Sequence, residues 1–130
     1  MFRSGAYGKE DFIKLRRLAE SKGIVFGQTH APFGSAYPDE EKTKQRFEEI
    51  VESLRQSSYL GAPYAVVHPC QHIPYSPETR DELYEYNVNF YKKLIPYSEE
   101  YGVKIAIENI NYKDKEGICS LPENLVKLYE

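Results

Sequence analysis

The sequence predicts an α/β fold of about three parallel strands and four helices. Three observations predict it. Helical periodicity gives way three times, at a glycine, to a short apolar run. Those glycines, Gly23, Gly61 and Gly102, lie 38 and 41 residues apart. Long loops follow the apolar runs, whereas one or two residues around a glycine precede them.

The first helix is predicted over residues 9–22, with Phe12, Leu15 and Ala19 on one face. Gly23 ends it, and Ile24-Val25-Phe26-Gly27-Gln28-Thr29-His30 reads as a strand. The second helix is predicted over 39–60. Phe47, Ile50, Val51, Leu54 and Ser58 recur on its face, and the acids Asp39, Glu40 and Glu41 suit its positive N-terminal end. After Gly61 comes the run Ala62-Pro63-Tyr64-Ala65-Val66-Val67-His68-Pro69. The third helix is predicted over 77–101, with Leu83, Phe90, Leu94, Tyr97 and Tyr101 on its stripe. Ser76-Pro77-Glu78 reads as its N-cap, N1 proline and first-turn acid. Pro96 should kink the helix or end it early. After Gly102 comes Val103-Lys104-Ile105-Ala106-Ile107-Glu108-Asn109. Ser120-Leu121-Pro122-Glu123 reads as a capping box that opens a fourth helix. Tyr84, Tyr91 and Tyr101 read as helix packing.

Strands joined by long helices must be parallel, with right-handed crossovers. Their unbroken apolar character suits a sheet covered on both faces or closed into a barrel. The loops 31–38, 69–76 and Ile110 to Cys119 are long, and the turns before the strands are tight. That asymmetry is the one (β/α) barrels use, with the site built at the C-terminal ends of the strands.

Composition narrows the function. The chain has 130 residues, which fits one domain, with 17 basic and 20 acidic side chains and a net charge of −3. A mildly acidic chain without a Lys/Arg run has no electrostatic footprint for a phosphate backbone, so nucleic acid is not an expected partner. Hydrophobic residues at 41% supply a core. No apolar run is long enough for a bilayer. The start, Met1-Phe2-Arg3-Ser4-Gly5, has no apolar stretch of leader length. Cys70 and Cys119 form no CxxC pair, so a cytoplasmic, reduced setting is expected, and Cys70 reads as a buried thiol.

Three residues carry the chemistry: His30, His68 and Glu108. Each ends a predicted strand, six or seven residues after its glycine. Equal lengths place them at about the same height on one rim, since a strand rises about 3.3 Å per residue. Two imidazoles and a carboxylate suit Zn²⁺, Mn²⁺, Co²⁺ or Fe²⁺. Taken singly, a strand-end His is an ordinary anchor for a loop, and Glu-Asn after an apolar run is an ordinary solvated strand end. Matched placement in successive units is what raises the ligand reading. Gln28 and Asn109 either hydrogen-bond the ligands, touch substrate, or simply form strand-end turns. His72 has no strand register and reads as a loop residue.

The segments Gln28-Thr29-His30-Ala31-Pro32-Phe33, Val66-Val67-His68-Pro69 and Ile105-Ala106-Ile107-Glu108-Asn109 together resemble the xylose-isomerase-like TIM-barrel superfamily, over residues 9–123. The resemblance implies a partial (β/α)8 TIM barrel and a divalent metal (Mn, Zn, Co or Mg). It also implies a sugar or sugar-phosphate isomerase or epimerase that moves a proton through an enediolate. In it Glu108 would be a metal ligand and acid/base residue. His68 and His30 would be ligands in the AP-endonuclease-type branch and substrate-positioning residues in the sugar branch. The catalytic expectation is therefore Glu108 and His68; the substrate expectation is His30, Gln28 and Asn109.

A full barrel takes eight βα units and about 250 residues. The sequence supplies three strands, so residues 1–130 are expected to form one partial barrel domain, incomplete at both ends. The family's later ligands, an Asp, a His and a second Glu, have no counterpart here. Two open sheet edges favour self-association into a homo-oligomer. The competing readings are an AP-endonuclease-type zinc phosphodiesterase, which the acidic charge opposes, and a non-catalytic oligomerising remnant.

Overall fold

The computed structural model describes residues 7–111 and 117–129. The elements run α1 (Lys9–Glu20), β1 (Thr29–His30), α2 (Glu40–Leu60), β2 (Tyr64–Val67), α3 (Arg80–Tyr101), β3 (Lys104–Ile107) and α4 (Pro122–Tyr129). The sheet has the order β1-β2-β3 and both pairings are parallel. Helices alternate with parallel strands in the predicted element order. The predicted third loop falls partly outside the described residues.

Helix ends follow the sequence where backbone chemistry fixes them. Gly61 (φ 74°) and Gly102 (φ 65°) take the left-handed conformation that closes α2 and α3. The next amides turn back to satisfy orphan carbonyls: Ala62 N–H donates to Ser57 O at 3.0 Å and Val103 N–H to Ser98 O at 3.1 Å. Asp39 caps α2 by accepting from Lys42 N–H at 3.1 Å.

Four local expectations need correction. β1 is two residues long, and residues 24–28 lie outside any strand. The parallel register sets Thr29 against Ala65, so residues before Thr29 would have to pair with Pro63, which has no N–H, and with the Gly61 helix end. Ser76 does not cap α3. It forms a turn with Thr79, whose backbone N–H donates to Ser76 Oγ at 3.3 Å, and the helix opens at Arg80. Of the two outcomes expected of Pro96, the early end is overturned: the helix carries the proline inside it and runs on to Tyr101. Ser120 bonds back to Gly117, donating to its carbonyl at 2.9 Å, and α4 opens at Pro122, where a missing N–H costs nothing.

The core lies between the sheet and the α2–α3 layer. Ile50, Val67, Phe90, Tyr91 and Leu94 form its centre, with Phe47 and Ile107 packed against it. A second cluster, Leu54 with Ala65 and Val103, fills the end of the sheet where the strands begin. Leu83, Ile118 and Cys119 form a third beneath α4. On α1 only Phe12 is buried, and Leu15 stays exposed, so the predicted Phe12/Leu15/Ala19 face is only partly covered. Leu54 is fully buried. Leu54→Ala is expected to lower unfolding free energy by about 2–5 kcal/mol, the range for a core leucine whose cavity stays open. A urea midpoint that does not move would contradict this packing.

Candidate metal centre

Pleating puts alternate residues of a strand on opposite faces. Ala65 and Val67 of β2, with Ile105 and Ile107 of β3, face the helices. Val66 and Ala106 face the other way, and so do the residues two further on, His68 and Glu108. His30 lies in register with Val66 and shares that parity.

The register corrects the equal-height expectation. Val66 pairs with both His30 and Ala106. His68 and Glu108 are therefore level, but His30 sits two residues lower, about 6–7 Å along the strand direction. Its ring spans the gap. His30 Nε2 reaches Glu108 Oε2 at 3.0 Å, and His68 Nε2 lies 2.8 Å from the same oxygen. The three ligand-type atoms all lie within 4.8 Å of one another.

The contact between His30 and Glu108 takes either a proton or a cation between its two atoms. His30 Nδ1 lies 2.7 Å from the Ala31 carbonyl. A donor at Nδ1 leaves a lone pair at Nε2, aimed at a carboxylate oxygen. Two acceptors at that distance repel unless a proton or an ion lies between them. His68 Nε2 approaches Glu108 without hydrogen-bond alignment. Among the described residues it is a buried nitrogen that makes no aligned hydrogen bond, with the Glu108 carboxylate as its charged neighbour. Burial lowers the His68 pKa from its ordinary value; Glu108 opposes this and His30 reinforces it. Burial thus favours the neutral ring, the form that ligates a metal. Two imidazole nitrogens, one of them without an aligned hydrogen bond, and one carboxylate fit a divalent cation.

Phe33 roofs the cluster. It is 59% exposed, with ring centroids 5.0 Å from His30 and 5.1 Å from His68. The imidazoles stack edge-on at 5.0 Å. The other expected site residues stay apart: Gln28 and Asn109 are exposed, and neither hydrogen-bonds the cluster among the described residues. His72 packs its ring on Tyr86 at 4.3 Å. Residues absent from the sequence reading support His68 from behind. Asn87, fully buried on α3, bonds both backbone groups of Cys70, and Ser35 donates to the His68 carbonyl. The signal for Asn87 was a polar residue within an apolar stripe, one turn after Leu83.

Parallel βα units with a convergent His, His and Glu at the C-terminal rim define a (β/α)-barrel protein with a candidate cation site. The chain belongs to the family described as xylose isomerase-like TIM barrel, whose model matches residues 2–128. The uncharacterized protein MJ1311 of Methanocaldococcus jannaschii is 30% identical over 124 residues, covering 89% of this chain and 39% of that protein. A D-tagatose 3-epimerase-like protein superposes with a TM-score of 0.75 at 23% identity, over 95% of this chain and 46% of its own. A xylose isomerase-like TIM barrel protein from Mycobacterium smegmatis, solved in complex with magnesium, gives 0.64 at 12% identity, over 95% and 43%. The chain spans less than half the length of each. No helix among the described residues is long and apolar enough to cross a membrane.

Both cysteines are free and buried. Burial drives the Cys70 thiol far above its ordinary pKa and pushes Cys119 up to about 12. A thiol reagent at about pH 8 should therefore label neither in the native protein and both after unfolding, because the thiolate is the reactive form. Fast native labelling of Cys70 would show that the 69–76 loop opens.

Proposed function

We propose that this chain carries part of the active site of a divalent-metal-dependent sugar or sugar-phosphate isomerase or epimerase. The convergence of His30, His68 and Glu108 on a common point carries the reading. The likeness to a D-tagatose 3-epimerase-like protein supports the sugar class, and the magnesium complex of another barrel supports the ion. When bound, a divalent ion would supply Lewis-acid polarisation of a substrate carbonyl or hydroxyl.

The side chains divide the remaining work. Glu108 is the charged ligand and the carboxylate placed to accept a proton from the carbon beside a carbonyl. His68, neutral by burial, offers a lone pair to the ion or a hydrogen bond to a substrate hydroxyl. His30, with Nδ1 held at the Ala31 carbonyl, presents Nε2 to the same point. Phe33 excludes water from one side of the two imidazoles, which strengthens charge interactions beneath it. Asn109, exposed and one residue past Glu108, is the polar group nearest in sequence to contact a sugar hydroxyl, whereas Gln28 lies level with Tyr64, well below His68. The free thiols fit a reducing, cytoplasmic setting.

Calorimetric titration with Mn²⁺, Co²⁺ and Zn²⁺ tests the reading. Wild type should bind one ion per chain. Glu108→Gln removes the charged ligand and should weaken binding more than the roughly 10–100-fold that outer-sphere changes cause. Unchanged affinity in Glu108→Gln would remove Glu108 from the site, and no stoichiometric binding by wild type would sink the proposal.

A further inference from the structure

The backbone that carries His68 is held from several sides. Val67 ends β2 inside the ladder, and its carbonyl also accepts from the Tyr91 hydroxyl at 3.2 Å. The His68 carbonyl accepts from Ser35, a buried residue of the loop after β1. Pro69, itself buried, has its φ locked by its ring and bars His68 from helical backbone angles. Cys70 N–H donates to Asn87 Oδ1 at 2.7 Å, and Asn87 Nδ2 donates to Cys70 O at 3.0 Å and to Leu83 O at 2.8 Å.

Asn87 stands out in this set. It is fully buried in the middle of α3, between apolar neighbours on the stripe, where leucine would pack. A buried carboxamide is costly unless satisfied. This one is satisfied by the segment two residues beyond His68 and by its own helix. These bonds restrain the backbone on both sides of His68, and Phe33 and His30 pack on its ring.

We propose that Asn87, assisted by Ser35, is a positioning residue: by fixing the backbone of residues 68–70 it sets His68 Nε2 against Glu108 and His30. The inference rests on reading those three residues as a cation site, and its scope is the geometry of that site. Asn87 touches neither ion nor substrate and acts through His68.

The test compares Asn87→Leu, Ser35→Ala and Leu54→Val in this chain. Leu54→Val is a destabilising control at the opposite end of the sheet. Two quantities are read: Mn²⁺ affinity, and the nuclear Overhauser contact between the His30 and His68 rings in metal-free protein. Asn87→Leu should weaken Mn²⁺ binding about tenfold or more, within the span for groups that orient ligands. It should also erase or weaken the ring–ring contact. Ser35→Ala, which loses one neutral hydrogen bond, should weaken binding roughly threefold. Leu54→Val should keep both readouts. If Asn87→Leu fails to fold, Ser35→Ala decides alone. Wild-type affinity and ring contact in the folded variants overturn the inference, as does an equal loss in Leu54→Val. Should wild type bind no Mn²⁺, the cation reading fails separately, and the ring contact in metal-free protein still judges the positioning role.

Discussion

Parity along parallel strands is the constraint on which the candidate site depends. A pleated strand sends alternate side chains to opposite faces, and neighbouring parallel strands keep that alternation in step. Ala65, Val67, Ile105 and Ile107 are drawn toward the helices by burial. The residues between them are thereby committed to the other face, and His68 and Glu108 continue that series beyond the last ladder pairs. A slip of one residue in either pairing would turn a ligand into the core and an aliphatic chain into the rim. The apolar packing of α2 and α3 on the sheet is thus also what aims the polar cluster.

The parts of this fold that were legible in the sequence are those with local chemical causes. Gly61 and Gly102 end helices because they accept a left-handed conformation, and the structure places them there. Asp39 caps α2 because its carboxylate reaches a free amide. The strand-end trio was legible because matched spacing in repeated units survives small errors in strand length. Legibility failed where tertiary pairing decides. Ile24-Val25-Phe26 reads as a strand, yet nothing on β2 is available to pair with it. Ser76 and Ser120 both have cap-like sequence, but each finds a nearer partner in its own turn. The level of His30 depends on register, which no local pattern reports. Asn87 looked like an interruption in an apolar stripe, and its meaning came only with Cys70 opposite it.

Among the described residues, the buried polar residues Ser35, Ser57 and Asn87 each hydrogen-bond a backbone group. Ser57, buried on α2, shares a 2.6 Å hydrogen bond with Thr29 and so holds the short β1 to the helix layer. Tyr91, nearly buried, spends its hydroxyl on Val67 O rather than on solvent. Each such bond adds little net stability, about 0.5–1.5 kcal/mol, but leaving its partner bare would cost more. Their placement therefore reads as geometric control, concentrated on the segments that precede or carry the site residues.

The two imidazoles are anchored very unequally. His68 sits on a segment held by β2, a proline and three side chains, whereas His30 ends a strand of only two residues. His30 is tied instead by one ladder bond, from Ala31 N–H to Val66 O, and by the Thr29–Ser57 contact. An ion held between the rings would therefore take its position from His68, and any adjustment to its radius would fall on the shorter strand.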